Sequence, residues 1–247
     1  MPRPYRGVLF DLFGTLILFD RDRLPEMEIG ERRVRTTVAD LGGLLARWAP
    51  GVTREAFLES IVRVSDEMAR ARRDALVELP SRERFRRALE RLGCEDGVRD
   101  EAAVHLSRAH MSAIARATVF PEPHAALLAA LRPRLRIGVV SNFDDTATAY
   151  EILVRHGILP QVDTVVVSEA LGLRKPHPAL VRVGLDAIGV AADEALFVGD
   201  TFAEDVAGAH AAGVDAAWID ARGEGPPAAA RPAEYTMRTL PELAGIL

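Results

Sequence analysis

Cysteine and lysine are almost missing from this sequence. The one cysteine, Cys94, excludes an internal disulfide, and without a partner thiol it cannot form a cysteine metal cluster within this chain. Of 31 basic residues, only Lys175 is a lysine. A chain that uses arginine for ordinary positive charge is expected to keep a lysine where a compact ammonium must fit between two oxyanions. Lys175 is therefore a candidate functional residue, and the alternative is the chance survival of one surface lysine.

The chain also has no net positive charge and no long hydrophobic run near its start. Its formal net charge is -5, which argues against binding to nucleic acid or to an anionic membrane surface. The first apolar run ends at Asp11, which is too early for a signal peptide or a membrane span. These features predict a cytoplasmic protein, monomeric or homodimeric, with a small-molecule substrate and no nucleic-acid or membrane partner.

The segment over residues 7–15 is an apolar, strand-like run that ends on a carboxylate. Asp11 follows residues 8–10 directly, and Gly14 comes three residues later. Ligands of open α/β sheets bind outside the carboxyl ends of the strands, so Asp11 is a candidate nucleophile. Gly14 would let the backbone approach an anion closely. Taken alone, an Asp in this position is more often a turn residue or a helix N-cap.

Three later segments place polar side chains at similar points. Residues 137–142 and 196–200 have the pattern of buried strands, and the basic loop over residues 172–178 lies between them. Two acids follow the last strand as a helix begins. The polar side chains of these segments are Ser141, Asn142, Lys175, Asp200, Glu204 and Asp205. Each segment alone is a weak signal, but their order and spacing together are specific.

The pattern in the middle of the chain differs from that at its two ends. Apolar residues recur at steps of three and four over residues 31–48, and three more amphipathic stretches follow up to Ala117. After Phe120, helices alternate with apolar strands, which builds a parallel sheet covered on both faces. We therefore predict an α/β fold, with a Rossmann-like parallel sheet core over residues 1–16 and 120–247 and an inserted α-helical cap over residues 17–119.

The order of Asp11, Ser141, Lys175 and Asp200 resembles the four motifs of the haloacid dehalogenase superfamily of hydrolases. The resemblance covers residues 8–15 and roughly residues 120–220, and it extends to the cap only in placement and helical pattern. A carboxylate nucleophile divides phosphate ester hydrolysis into two steps through an aspartyl-phosphate. The resemblance therefore implies a hydrolase in which Asp11 attacks the substrate.

The acids of these motifs predict a Mg²⁺ site. Mg²⁺ prefers oxygen ligands in an octahedral shell with few protein carboxylates, and Asp11 with Asp200 would supply two of them. The resemblance implies that the third protein ligand is the backbone carbonyl of Phe13. Asp205, or else Glu204, would orient a water on the metal.

The remaining motif residues are assigned to the substrate. Ser141 and the Asn142 amide would hydrogen-bond the phosphoryl group of a small anionic substrate. Lys175 would neutralise that group and steady the nucleophile. Gly14 and Thr15, which follow the nucleophile, are also predicted to bind substrate.

One residue departs from the pattern of the superfamily phosphatases. Those enzymes usually carry a second aspartate two residues after the nucleophile as the general acid, where this chain has Phe13. Dehalogenases of the superfamily also lack this acid, since a departing halide needs no proton, but their fourth motif resembles Ser-Ser-Asn where this chain has Val198-Gly199-Asp200. The intact metal-binding acid favours a Mg²⁺-dependent phosphatase. The alternatives are a dehalogenase of the 2-haloacid type and a catalytically weak phosphate-binding protein.

Overall fold

The computed structural model describes residues 5–29 and 32–247. It divides into two compact units, one formed by the described residues up to Leu18 together with Val119–Leu247, and the other by Phe19–Thr118. Residues 1–4 of the predicted core and residues 30–31 of the predicted cap lie outside the described residues.

In chain order the strands are β1 (Gly7–Phe10), β2 (Leu18–Phe19), β3 (Glu26–Ile29), β4 (Arg32–Arg35), β5 (Thr118–Val119), β6 (Arg136–Ser141), β7 (Thr164–Val167), β8 (Ala195–Gly199), β9 (Asp215–Ile219) and β10 (Tyr235–Met237). The α-helices are α1 (Gly42–Trp48), α2 (Arg54–Ala75), α3 (Ser81–Arg91), α4 (Asp96–Arg116), α5 (Glu122–Leu131), α6 (Thr146–Arg155), α7 (Ser168–Leu171), α8 (Pro178–Ile188) and α9 (Ala207–Ala212).

The first unit is built on a six-stranded sheet in the order β10-β9-β8-β1-β6-β7. All of its described pairings are parallel. The chain passes from β1 to β6 and β7 on one side and then returns to β8, β9 and β10 on the other. β1 therefore lies at the point where the strand order reverses, which is where ligands bind in sheets of this kind. The predicted α/β fold with a parallel sheet is confirmed.

The core of this unit lies between the sheet and helices α8 and α9. Leu9 on β1, Leu185 on α8 and Phe197 on β8 belong to one buried cluster. The burial of each such side chain contributes about 1.5–3 kcal/mol. α8 approaches the sheet closely at Gly184, where an added Cβ atom would lie 2.9 Å from Val140 Cγ2. Because the strands are buried on both faces, their sequences are continuous apolar runs, which is why the sequence predicts them well.

The second unit contains helices α1 to α4 around a separate core. Along α2, Phe57, Ile61, Val64 and Met68 are buried at steps of four, three and four, as the periodicity predicts. The Thr53 side chain accepts a hydrogen bond from Ala56 N at 3.3 Å and caps this helix.

The predicted helix over residues 31–48 is wrong in its first part, and the unit contains a strand pair that the pattern did not predict. β3 and β4 pair antiparallel with Met27 opposite Val34. Met27 is buried and Val34 partly buried, while the charged residues beside them are exposed, so the period here is two rather than 3.6. The helix begins only at Gly42. With so few apolar residues, the two periods could not be distinguished in the sequence.

The elements after Phe120 agree with the sequence patterns to within a few residues. The difference is in the helix expected at Glu204 and Asp205, because the chain there forms a π-helical turn (Phe202–Val206) before α9 begins. Such wide turns are frequently found at functional sites, and this one carries Glu204 and Asp205. Among the described residues, no helix is both long and apolar enough to cross a lipid bilayer.

Candidate active site

Asp11 lies at the carboxyl end of the central strand β1. Phe10 pairs with Val139 of β6 on one side and with Val198 of β8 on the other, and Asp11 N donates to Val198 O at 2.9 Å. The Asp11 residue is only 7% exposed. The side chains that end the two neighbouring strands are therefore brought beside it, although they are far away in sequence.

Three carboxylates meet at this edge of the sheet. One oxygen each from Asp11, Asp200 and Asp205 lie within 4.8 Å of one another. Two glycines make room for the cluster, because a Cβ atom added at Gly14 would collide with the Asp200 carboxylate and one at Gly199 with Asp205. Gly14 also has φ of +84°, which other residues rarely adopt. Each glycine thus lies against one of the acids.

Lys175 contacts two of these carboxylates. Its Nζ donates to Asp11 Oδ1 at 2.6 Å and to the Val140 carbonyl at 2.8 Å, and it lies 2.7 Å from Asp205 Oδ1. The side chain is 1% exposed. The other Asp205 oxygen accepts a hydrogen bond from Thr201 N at 2.8 Å. The one lysine of the chain is therefore a buried ammonium between two carboxylates.

Burial and the crowding of negative charge shift the pKa values of the groups in this cluster. Burial raises the pKa of Asp11 to about 7, and Asp205 adds to this shift while Lys175 opposes it. Burial and the nearby Asp205 raise the pKa of Asp200 to about 6. Burial acts to lower the pKa of Lys175, but Asp11 and Asp205 outweigh it and hold that pKa above its ordinary value. One ammonium thus compensates the carboxylates only in part, and a bound cation would stabilise their ionised forms.

The Asn142 side chain is not turned to a substrate but holds the backbone of Lys175. Asn142 Oδ1 accepts from Lys175 N at 2.7 Å, and Asn142 Nδ2 donates to Lys175 O at 3.0 Å. The same Nδ2 donates to Glu204 Oε2 at 2.8 Å, and Glu204 Oε1 accepts from Arg174 at 2.9 Å. Asn142 and Glu204 therefore fix the loop that carries Lys175. The sequence gives no signal for these pairings, since they depend on how that loop folds back.

Two buried hydroxyls remain available at the site. Among the described residues, Ser141 Oγ and Thr15 Oγ1 have no hydrogen-bond partner, although Ser141 is 1% exposed and Thr15 is fully buried. Unpaired buried hydroxyls are unfavourable unless a ligand or water engages them. Ser141 is the last residue of β6 and Thr15 comes four residues after Asp11, so their hydroxyls are candidate donors to an anion.

Phe13 places an aromatic ring two residues after Asp11. Its ring packs against Phe143, with the ring centroids 4.7 Å apart and the planes at 36°. A phenyl ring cannot transfer a proton, so this position supplies no acid to a leaving group. Phe143 was not among the residues that the sequence pattern predicted for the site.

Two cavities of the first unit have different characters. One, of about 480 Å³, opens beside the cluster and is lined by Gly14, Asp200, Phe202, Trp218 and the loop after β9. A larger one, of about 610 Å³, lies at the opposite, amino-terminal end of the strands, and its lining includes Arg6, Arg132, Arg134 and Arg136. Arginines at helix C-termini are expected from the helix dipole. The smaller cavity is the one that reaches the carboxylate cluster, through Asp200.

The first unit thus combines a parallel sheet with a carboxylate cluster and a buried lysine beside its central strand, and comparison with known proteins identifies the family to which it belongs. Residues 5–213 match the model of the haloacid dehalogenase-like hydrolase family. The chain belongs to this family and is a hydrolase.

Its relatives include both phosphatases and dehalogenases. It is 39% identical over 142 residues to a phosphoserine phosphatase of Thermus thermophilus, a match that covers 57% of this chain and 55% of that protein. It is 35% identical over 188 residues to a phosphoglycolate phosphatase of Rhodospirillum rubrum, covering 73% of this chain and 77% of that protein. A 2-haloacid dehalogenase of Pseudomonas syringae has a similar structure, with a TM-score of 0.72 and 25% identity over 98% of this chain and 97% of that one.

Proposed function

We propose that this hydrolase is a Mg²⁺-dependent phosphatase of a small phosphorylated metabolite and acts through an aspartyl-phosphate on Asp11. The observation that carries the proposal is the carboxylate cluster of Asp11, Asp200 and Asp205. Superfamily dehalogenases work without a metal and lack the acid at the position of Asp200. The phosphatase relatives support the same choice.

The cluster fits Mg²⁺ by its chemistry. All of its ligand atoms are carboxylate oxygens, which this ion prefers, and the raised pKa values of Asp11 and Asp200 indicate negative charge that Lys175 does not fully compensate. Asp11 and Asp200 would hold the ion together with the Phe13 carbonyl, and Asp205 would act from beside them. When bound, Mg²⁺ would supply positive charge next to the phosphoryl oxygens.

The residues of the chain account for the two steps. Because Lys175 donates to Oδ1 of Asp11, the other oxygen, Oδ2, attacks phosphorus, and the bond from phosphorus to the leaving oxygen breaks. The leaving oxygen of the substrate takes a proton from solvent, because Phe13 offers none. Water then attacks the same phosphorus and loses a proton to solvent, and the bond to Asp11 breaks, which restores the carboxylate.

Each remaining group has a fixed part in these steps. Lys175 holds Asp11 ionised and in place, and the hydroxyls of Ser141 and Thr15 donate to the phosphoryl oxygens. The Asn142 side chain acts indirectly by holding Lys175. The backbone N–H of Asn142 is therefore the group of this residue that can donate to the phosphoryl oxygens. Glu204, which pairs with Asn142 and Arg174, has the same indirect role and is a weaker candidate than Asp205 for orienting water.

A second candidate is hydrolytic dehalogenation of a 2-haloacid, and Phe13 favours it. A departing halide needs no proton, so the absence of an acid at this position has no consequence for that reaction. In this reaction Asp11 would attack the carbon that bears the halogen, and the carbon–halogen bond would break. The structural similarity to a 2-haloacid dehalogenase supports this candidate.

The deciding experiment measures phosphate and halide release from one protein preparation. A panel of phosphorylated metabolites that includes phosphoserine and phosphoglycolate, together with 2-haloacids, is assayed with Mg²⁺ and with excess chelator. We expect phosphate release that chelator abolishes and that Asp11→Asn, a nearly isosteric change, also abolishes with the fold intact by circular dichroism. Halide release that persists in chelator would establish the dehalogenase, and phosphate binding without turnover would establish the binding protein.

A further inference from the structure

Two aromatic rings meet at the carboxyl ends of two neighbouring strands, beside the proposed nucleophile Asp11 and the proposed hydrogen-bond donor Ser141. Phe13 comes two residues after Asp11, and Phe143 comes two residues after Ser141. β1 and β6 are neighbours, and the two rings lie in contact with their centroids 4.7 Å apart. Both residues are only partly buried, so the pair presents an apolar surface beside the site.

Hydrogen bonds to the first turn of α7 hold the backbone of Phe143 in place. Phe143 N donates to Ser168 Oγ at 2.9 Å, and Ser168 Oγ donates to the Phe143 carbonyl at 3.1 Å. Glu169 accepts from the backbone and the side chain of Thr146, on the far side of the same loop. The backbone of Phe143 is therefore fixed by the fold, and its ring is held by the contact with Phe13. A fixed ring loses little conformational freedom when a ligand packs on it, which favours contact with substrate.

The chemistry of the pair limits what can lie against it. Neither ring donates a proton or compensates a charge, so a hydroxyl-rich leaving group would lose hydrogen bonds to water without replacement. An apolar or planar leaving group would gain contact area and ring stacking. The lack of an acid at Phe13 also favours a planar aromatic leaving group such as a phenol, because a weakly basic leaving oxygen can depart without a proton.

We propose that Phe143 is a specificity-determining residue, which forms with Phe13 an apolar wall for the leaving group and selects phosphate monoesters of apolar, weakly basic alcohols such as phenols. This inference rests on the proposed phosphatase function and names the substrate class for it. Phe13 accounts for the requirement for a weakly basic leaving group, and Phe143 adds a contact that favours an aromatic one.

The test compares two substrates that both have good leaving groups but differ in shape. p-Nitrophenyl phosphate offers a ring, and acetyl phosphate does not. We expect Phe143→Ala to lower kcat/KM for p-nitrophenyl phosphate about tenfold, mainly through KM, and to change acetyl phosphate less than about threefold. Phe143→Tyr, which keeps the ring, should restore the wild-type preference. The control is Tyr150→Ala, which removes an exposed ring on α6.

Inhibition by inorganic phosphate separates contact with the leaving group from damage to the phosphoryl site. Its inhibition constant should be unchanged in Phe143→Ala, and Phe143→Leu replaces that variant if it does not fold. Equal losses on both substrates, or no loss on either, would overturn the role of Phe143 while leaving the phosphatase in place. A wild type that releases phosphate from members of the metabolite panel but not from p-nitrophenyl phosphate would overturn this inference alone. A wild type that releases phosphate from none of these compounds would overturn the proposed function and this inference with it.

Discussion

At the scale of single residues, the site is organised by one buried charge. Lys175 lies between Asp11 and Asp205, with a backbone carbonyl as its third contact. Removing one partner of a buried charge pair is strongly destabilising, since it leaves the other charge without compensation. The ammonium also has the compact shape that three converging acceptors require. A planar guanidinium is longer and donates in a fixed fork, so it does not match this geometry.

We expect Lys175→Arg to lower kcat by about a hundredfold, because a displacement of about 1 Å at the reacting centre has an effect of that size. The measurement is turnover under saturating Mg²⁺, with folding checked by circular dichroism. The matched control is the reverse exchange at an exposed position of α8, Arg182→Lys, which should leave turnover unchanged. A rate near that of the wild type in the arginine variant would show that the site needs only a buried positive charge at position 175 and not the shape of lysine.

At the scale of elements, the end of β8 and the π-helical turn after it act as one unit. Gly199 ends the strand, and the turn brings Asp205 back over it, so that no side chain fits at residue 199. The wide turn places Asp205 within reach of Lys175, and Thr201 N fixes its other oxygen. The strand end, the glycine and the turn together therefore set where this carboxylate lies.

Gly199→Ala should destabilise the protein by about 1–3 kcal/mol, because the new methyl group overpacks a filled site. It should also lower turnover, since Asp205 must move away from Lys175 to make room. Urea unfolding and turnover measure the two effects. Gly43→Ala serves as control, because its new methyl group meets nothing within 4 Å inside α1 and should be neutral or stabilising by up to about 1 kcal/mol. Equal behaviour of the two variants would contradict the steric argument.

At the scale of the whole molecule, folding assembles like charges that a cation would stabilise. Burial raises the pKa values of Asp11 and Asp200, which expresses the free energy needed to keep them ionised in the folded chain. An ion that binds the folded state and not the unfolded one shifts the unfolding equilibrium by mass action. Mg²⁺ should therefore stabilise the fold as well as support turnover.

With Mg²⁺ at a hundred times its Kd, the free energy of unfolding should rise by about 2.7 kcal/mol. Thermal or urea unfolding with Mg²⁺ and with chelator measures this gain. Asp200→Asn keeps the shape of the side chain but removes a charged ligand, so most of the gain should be lost in that variant. A wild type whose stability is the same in Mg²⁺ and in chelator would argue against a metal in this cluster.

The sequence by itself determined the parallel sheet, the order of its motifs and the residues that end its strands. Buried parallel strands are continuous apolar runs and amphipathic helices repeat every 3.6 residues, so both patterns are local and readable. The lone lysine among the basic residues and the phenylalanine at position 13 were also visible there. The roles of the predicted site residues and the domain limits stay predictions.

Only the tertiary structure decided which of these residues touch. The β3 and β4 pair was missed because its few apolar residues fit two periods, and pairing with another segment selected between them. The Asn142 side chain pairs with the Lys175 backbone, and Phe143 meets Phe13, because a loop and a neighbouring strand return to the end of β1. Such contacts join residues that are distant in the chain, and they depend on loop conformations that no local pattern encodes.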